Sequence, residues 1–347
     1  LIREFKICRK IQKIKEYIKH KELLENCKDI NTKNKIQLFI EKFEKDNYST
    51  IKIFRYIEDN NMLMIPEELN IKKILNTKCM PETYSYISAD EFNFMTMDLC
   101  GKNFEDLLCN YKFTEKSKYF IAHKLLFILS YIHRCGIIHR DIKLANIVLN
   151  KKFSDPKLNP DTINSLDSSN SCNSINCNDL TPLIIDFGLG KDYYKYEPDK
   201  VILTSQTKSK SITGTLRYIS LNIHAHKSPT IVDDLISLSY ALVVIFTNKN
   251  LPWVGHKKDN DAFDIDQHTF TNCKCGYNKN IKNNCTNTSN TIGEMKFHTP
   301  LDILVGDKYV FLIKWIKYLY SLKPNQLLSY NILFKYLFYS QFFKSIN

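Results

Sequence analysis

Glycine is scarce in this chain: nine in 347 residues, and none before Gly101. A backbone that brings its N–H groups close around a phosphate normally relies on glycine, because a Cβ holds the chain away. The first hundred residues therefore lack a glycine-rich phosphate cradle. The eleven cysteines are scattered and form no Cys-x-x-Cys pair, which argues against a disulfide framework and suits a reducing compartment, cytoplasmic and/or nuclear. Cys273, Cys275 and Cys285, with His268 nearby, are the cluster closest to a zinc site, and their spacing fits no standard ligand pattern. No run of 18 or more apolar residues exists. Leu235–Phe246 is too short to span a bilayer and reads as a buried helix. No signal peptide is legible, and the chain starts at Leu1 rather than Met, which leaves its own start open.

What is present is a globular composition, 44% hydrophobic and 12% aromatic, with enough chain for one large or two ordinary domains. The net charge of +12 comes from 49 Lys+Arg against 37 Asp+Glu. Its interspersion reads first as a solvated lysine-rich surface and second as attraction to acidic or phosphorylated partners. A nucleic-acid binder needs a basic stripe with interleaved aromatics, and none stands out. Neither a nucleic-acid nor a membrane partner is expected.

One stretch organises the rest: Ile137-Ile138-His139-Arg140-Asp141-Ile142-Lys143-Leu144-Ala145-Asn146-Ile147-Val148-Leu149. A carboxylate, a lysine two residues on and an asparagine five residues on share one loop between apolar flanks. Forty residues after Asn146, Leu183-Ile184-Ile185-Asp186-Phe187-Gly188 is a short apolar strand ending in an Asp suited to Mg²⁺. Either fragment alone is a weak signal, and a solvated polar loop is the plain alternative. Their order and spacing resemble the catalytic loop and metal-binding Asp of protein kinases.

Along the chain, Phe5–Ile11 alternates as a first strand would, and the segment after it, Gln12–Ile18, holds no glycine. Lys21–Glu25 and Ile36–Lys45 read as helical or irregular. Thr50–Phe54 is a β-branched, apolar run around Lys52. It resembles the third kinase strand, with an ordinary exposed lysine as the alternative. Glu67–Leu75 has helical periodicity, which makes Glu68 the candidate partner carboxylate for Lys52, with Glu67 as its rival. Phe92–Met97 alternates as a strand and leads into Asp98-Leu99-Cys100-Gly101, the expected hinge behind an adenine. Asn103–Leu108 and Ser117 to about Cys135 are predicted helices. Residues 154–180, rich in Asn, Ser and Asp with two Cys, and a second such stretch at about 257–291 read as insertions. The tail is predicted helical, with Trp315, Tyr318, Leu319, Leu333, Leu337 and Phe338 in its core.

Within the protein kinases these residues resemble the casein kinase I branch. Ser220-Leu221-Asn222 stands where that family has Ser-Ile-Asn instead of Ala-Pro-Glu. Thr213-Gly214-Thr215-Leu216-Arg217-Tyr218 is similar to its Thr-Gly-Thr-Ala-Arg-Tyr, and Asp233–Tyr240 is similar to its Asp-Asp-Leu-Glu-Ser-Leu-Gly-Tyr. Leu251-Pro252-Trp253, Thr299-Pro300-Leu301 and Lys323-Pro324 follow in order. The resemblance covers residues 50–345 less the insertions. It implies an α+β, bilobal protein-kinase fold: a small β-rich lobe with one main helix over residues 1–98, then a larger, mostly helical lobe over 99–347. It further implies ATP and Mg²⁺ between the lobes, γ-phosphoryl transfer to Ser or Thr hydroxyls of protein substrates, and a monomer.

The implied roles are Asp141 orienting the acceptor hydroxyl, Lys143 neutralising charge on the transferred group, and Asn146 and Asp186 holding the metal. Thr215 would support Asp141. Met97 would be the gatekeeper, Leu99 a hinge contact, and Val148 would pack under the adenine. Arg217 and Lys210 would receive acidic or phosphorylated substrate residues, with a structural ion pair as the alternative for Arg217. The absent glycines favour a second reading, a pseudokinase serving as a binding or scaffold module. The likeness of Phe5–Ile11 to the family's first strand argues against a glycine-bearing segment upstream.

Overall fold

The computed structural model describes residues 1–59, 63–64, 78–89, 91–150, 181–197, 200–203, 212–255, 291–322 and 328–342. Three helices come first: α1 (Ile2–Asn26), α2 (Ile30–Asp46) and α3 (Tyr48–Asp59). Strand β1 (Leu63–Met64) follows, then the antiparallel hairpin β2 (Thr83–Ala89) and β3 (Phe92–Met97), whose register sets Ile87 opposite Phe94.

The helical body is α4 (Phe104–Asn110), α5 (Glu115–Arg134), α6 (Leu221–His224), α7 (Ile231–Thr247), α8 (Ile292–His298), α9 (Leu301–Val305), α10 (Val310–Ser321) and α11 (Tyr330–Phe342). Short antiparallel pairs tie its loops together: β4 (Ile137–Ile138) with β7 (Lys191–Asp192), β5 (Ile147–Leu149) with β6 (Pro182–Ile184), and β8 (Tyr194–Glu197) with β9 (Lys200–Leu203). β10 (Leu328–Ser329) runs parallel to β1.

The sequence pattern misleads most at the start. Phe5–Ile11 is not a strand but the beginning of α1. Ile7 and Ile11 satisfy both an alternating and a helical template, because i and i+4 share a face in each. Ile14 and Ile18 continue only the helical one, and Ile7, Cys8, Ile11, Ile14 and Ile18 are all buried. Gln12–Ile18 lies within the same helix, so it is not a loop that could cover phosphates. Thr50–Phe54 is likewise helical: in α3 the buried set Ile51, Ile53, Phe54 and Ile57 makes one helical stripe. Among their described residues, 1–98 carry three helices, the β2–β3 hairpin and the short strand β1, in place of the expected β-rich lobe with one main helix.

α1 is pinned to the body at close range. The Tyr131 hydroxyl of α5 donates to the Ile11 carbonyl at 3.2 Å. Ile7 Cδ1 would lie 2.6 Å from a Cβ placed on Gly190, so glycine lets helix and chain touch there. α3 packs on β8 and α5, and Glu58 receives both Nε and Nη2 of Arg134 at 2.6 and 2.5 Å. Tyr17, Glu44 and Arg55 then join α1, α2 and α3: the tyrosine hydroxyl donates to Glu44 at 2.9 Å, accepts from Arg55 Nε at 2.9 Å, and Arg55 also pairs with Glu44.

At the centre, α7 begins with a capping box formed by Thr230 and Asp233. It is buried along almost its whole length against α5 and α10. Trp315, Leu319, Leu333 and Leu337 are buried as the tail pattern predicts. Tyr318 is half-buried, and Phe338 faces solvent at 58% exposure.

Candidate active site

The loop between β4 and β5 is held from below by a buried carboxylate. Asp234, on α7, accepts the backbone N–H groups of His139 at 2.6 Å and Arg140 at 2.8 Å, and its Oδ2 is 3.1 Å from His133 Nε2. Burial alone would push this carboxyl up; the His133 hydrogen bond and the neighbouring imidazoles hold it below its usual value. His139 completes the scaffold. Its Nε2 donates to the Ile185 carbonyl at 3.0 Å, and its Nδ1 accepts the Asp141 N–H at 3.3 Å. Burial depresses the pKa of His139, which matches an imidazole that donates at one nitrogen and accepts at the other. Arg140 takes a left-handed conformation, φ 70, which turns the following aspartate inward.

Asp141 is buried and its two oxygens have separate partners. Oδ1 accepts the Thr215 N–H at 2.9 Å and the Thr215 hydroxyl at 2.6 Å. Oδ2 accepts Lys143 Nζ at 2.6 Å and Asn146 Nδ2 at 3.3 Å. Lys143 also reaches Thr215 Oγ1 at 3.2 Å. The segment carrying Thr215 comes this close because Gly214 adopts φ +102, and a Cβ there would lie 2.6 Å from the Arg140 carbonyl.

Asn146 spends its amide N–H groups on Asp141, with a further bond to the Asp141 carbonyl at 3.0 Å. That orientation leaves its carbonyl oxygen for a cation. Asp186 is exposed and left-handed, φ 66, with Oδ1 receiving Gly188 N–H at 3.3 Å. One carboxylate and one carboxamide oxygen are hard donors that fit Mg²⁺, which keeps water and substrate phosphate in its remaining positions.

A residue absent from the sequence reading joins this site. Glu4, one turn into α1, is buried, on the helix that packs against the Phe187–Leu189 turn. Burial raises its pKa, and the nearby Asp186 charge adds to the rise. The sequence signal was an acid at i−3 and i−4 to Ile7 and Cys8, on the buried stripe of a helix. Reading α1 as a strand hid it.

The remaining candidates divide. Asp141, Lys143, Asn146 and Thr215 are directly joined, and Asp186 is linked to them by β5–β6 pairing and the Ile185 N–H to Asn146 carbonyl bond at 3.0 Å. Val148 is buried beside Gly101, whose N–H donates to the Leu149 carbonyl at 2.7 Å. Met97 is half-buried and Leu99 is 69% exposed at the hinge. Lys52 is not part of this assembly: it sits on α3, with its ammonium 5.3 Å from the Tyr48 ring centroid. Arg217 pairs with Glu105 at 2.8 Å, the structural ion pair kept above as the alternative. Glu68, Lys210, both insertions and the Cys273–Cys285 cluster lie outside the described residues. No helix among the described residues is long and apolar enough to cross a membrane.

A buried, doubly clamped aspartate beside a lysine, with an asparagine and a second aspartate on the paired strands, is the kind of arrangement that phosphoryl-transfer sites use. In agreement, the protein kinase domain family matches residues 35–297, more than half of the chain. The chain belongs to that family. The match begins in α2, so α1, which carries Glu4 to Asp186, lies outside it.

Proposed function

We propose that this protein is an ATP- and Mg²⁺-dependent protein serine/threonine kinase resembling casein kinase I. The carrying observation is the clamping of Asp141 Oδ1 by both groups of Thr215 while Oδ2 meets Lys143. With its orientation fixed before substrate arrives, the carboxylate can accept the proton of an acceptor hydroxyl, and Lys143 lies beside it for the charge of the moving group. Positioning and electrostatics of this kind supply most of the catalysis in the reaction class. Bound Mg²⁺ would shield phosphate charge, held by Asn146 and Asp186. Val148, Met97 and Leu99 would border the adenine. A preference for acidic or phosphorylated substrates draws on Arg217 and Lys210, and for Arg217 it requires the substrate anion to displace Glu105.

A second reading, a pseudokinase serving as a binding or scaffold module, is favoured by one specific observation: Lys52 stands on helix α3, its ammonium over the Tyr48 ring, rather than on a strand. The test is transfer from labelled ATP to casein and to a phospho-primed peptide, with Asp141→Asn in parallel. We expect transfer in the parent and a loss of about 10³-fold in the variant. Absence of transfer together with an unshifted melting temperature in Mg²⁺-ATP supports the scaffold reading. A primed peptide no better than its unprimed twin removes the acidic preference alone.

A further inference from the structure

Immediately after Thr215, the segment Leu216–Ile219 turns back on itself, with the N–H groups of Tyr218 and Ile219 both donating to the Thr215 carbonyl at 2.8 and 3.1 Å. Its carbonyls are held from inside the body. Lys296, on α8, is only 2% exposed, and its ammonium meets the carbonyls of Leu216 and Ile219, each at 2.6 Å. The third neighbour is His224 Nε2, at 3.2 Å. An ammonium has three protons, and here each has an acceptor, with the histidine accepting through an unprotonated Nε2. Two aromatic faces complete the enclosure, Tyr240 at 5.3 Å and Trp253 at 5.5 Å from Nζ. Trp253 adds its own hold, donating Nε1–H to the Arg217 carbonyl at 2.8 Å. Three of the four carbonyls from 216 to 219 are thus fixed by two buried side chains.

A buried cation must be compensated by what surrounds it, and the carbonyls of the loop beyond Thr215 supply part of that compensation here. We infer that Lys296 is a positioning residue for protein-substrate binding: its ammonium fixes the shape of Thr215–Ile219 and so of the surface that receives the acceptor segment. This rests on the kinase reading above. The physical reason is asymmetric. Without the ammonium, the Leu216 and Ile219 carbonyls would lose this donor, and a carbonyl left unpaired away from water is costly unless the loop rotates it toward solvent. That rotation carries Arg217 away from Glu105 and loosens the turn that presents Thr215. Lysine suits the place because it is a compact point charge with three donors; a planar guanidinium offers a different fork.

The test uses the full chain with Lys296→Met, which keeps the length and removes the donors, and Trp253→Phe, which removes only the Arg217 bond. Steady-state rates are measured with peptide and ATP varied separately. We expect Lys296→Met to raise the peptide KM about tenfold while the ATP KM stays within about twofold, and Trp253→Phe to move the peptide KM less in the same direction. A purely structural lysine would reduce the folded fraction, lowering Vmax without changing either KM, and that result overturns the inference.

Hydrogen exchange at the Tyr218 and Ile219 amides is the second readout and needs no turnover. About tenfold faster exchange in either variant supports the inference, and unchanged protection in Trp253→Phe and Lys296→Met overturns it. If Lys296→Met does not fold, Trp253→Phe carries both measurements. Normal exchange behaviour with no phosphoryl transfer in the parent protein would be a failure of the kinase reading, not of the loop anchor.

Discussion

Asp141 has two oxygens with unequal duties, and Thr215 decides which is which. By taking Oδ1 with both its N–H and its hydroxyl, it leaves Oδ2 toward Lys143 and, on the proposed kinase reading, toward the incoming acceptor. Thr215→Val keeps the backbone bond and deletes the hydroxyl contacts to Asp141 and Lys143. One hydrogen bond to a charged group is worth about 1.5–3 kcal/mol, so kcat should fall about 10–100-fold with the ATP KM nearly unchanged, as initial-rate kinetics would show. An unaltered kcat would mean that the N–H alone holds the carboxylate. Asp141, Lys143, Asn146 and Asp186 were readable because each belongs to a compact motif whose spacing is set by one loop. Glu4 and Lys296 were not, because their polar neighbours lie more than 70 residues away in sequence and only folding brings them together.

At the level of elements, α1 is the clearest lesson. Seven residues from Phe5 to Ile11 cannot separate a strand from a helix when the apolar positions are four apart; the next turn can. Ile14, which is fully buried, is the position where the helical reading becomes necessary. Ile14→Ala should lower stability by about 2–5 kcal/mol, measured by urea unfolding, whereas a strand or loop at this place would tolerate it with far less loss. The interior helices were easier. α7 carries a continuous buried run behind a capping box, so composition and capping agree, and the same holds for α5 behind Thr114.

For the whole molecule, acid stability follows from two carboxylates at opposite regions of the fold. At the hinge, burial works against ionised Asp98, but the Lys78 ammonium, the Tyr84 hydroxyl and the Glu82 N–H outweigh it and bring its pKa from 3.8 to about 2. Glu115, at the start of α5, is also brought to about 2: burial opposes this, and Tyr309, Lys308 and Lys118 overcome it. A folded-state pKa below the unfolded value adds stability that is complete above the unfolded pKa and is lost as pH falls through the folded one. The melting temperature should therefore drop between about pH 4.5 and pH 2, and Asp98→Asn with Glu115→Gln should flatten that drop while lowering the plateau above pH 5. A scan of melting temperature against pH in the parent and double variant checks this, and parallel curves would contradict it.

The sequence by itself determined the protein kinase family and the helical body, because motif spacing and 3.6-residue periodicity are local and survive without tertiary information. It also determined that no glycine precedes Gly101. Only the tertiary structure decided what residues 1–59 do: pack as three helices against the body and bring Glu4 to the segment of Asp186 and Phe187. It also decided that Lys52 lies on a helix, over the Tyr48 ring, and that Lys296 grips the loop beyond Thr215. These are contacts between distant segments, fixed by which apolar faces bury together and which buried charges find acceptors, and neither is written in any short stretch of chain.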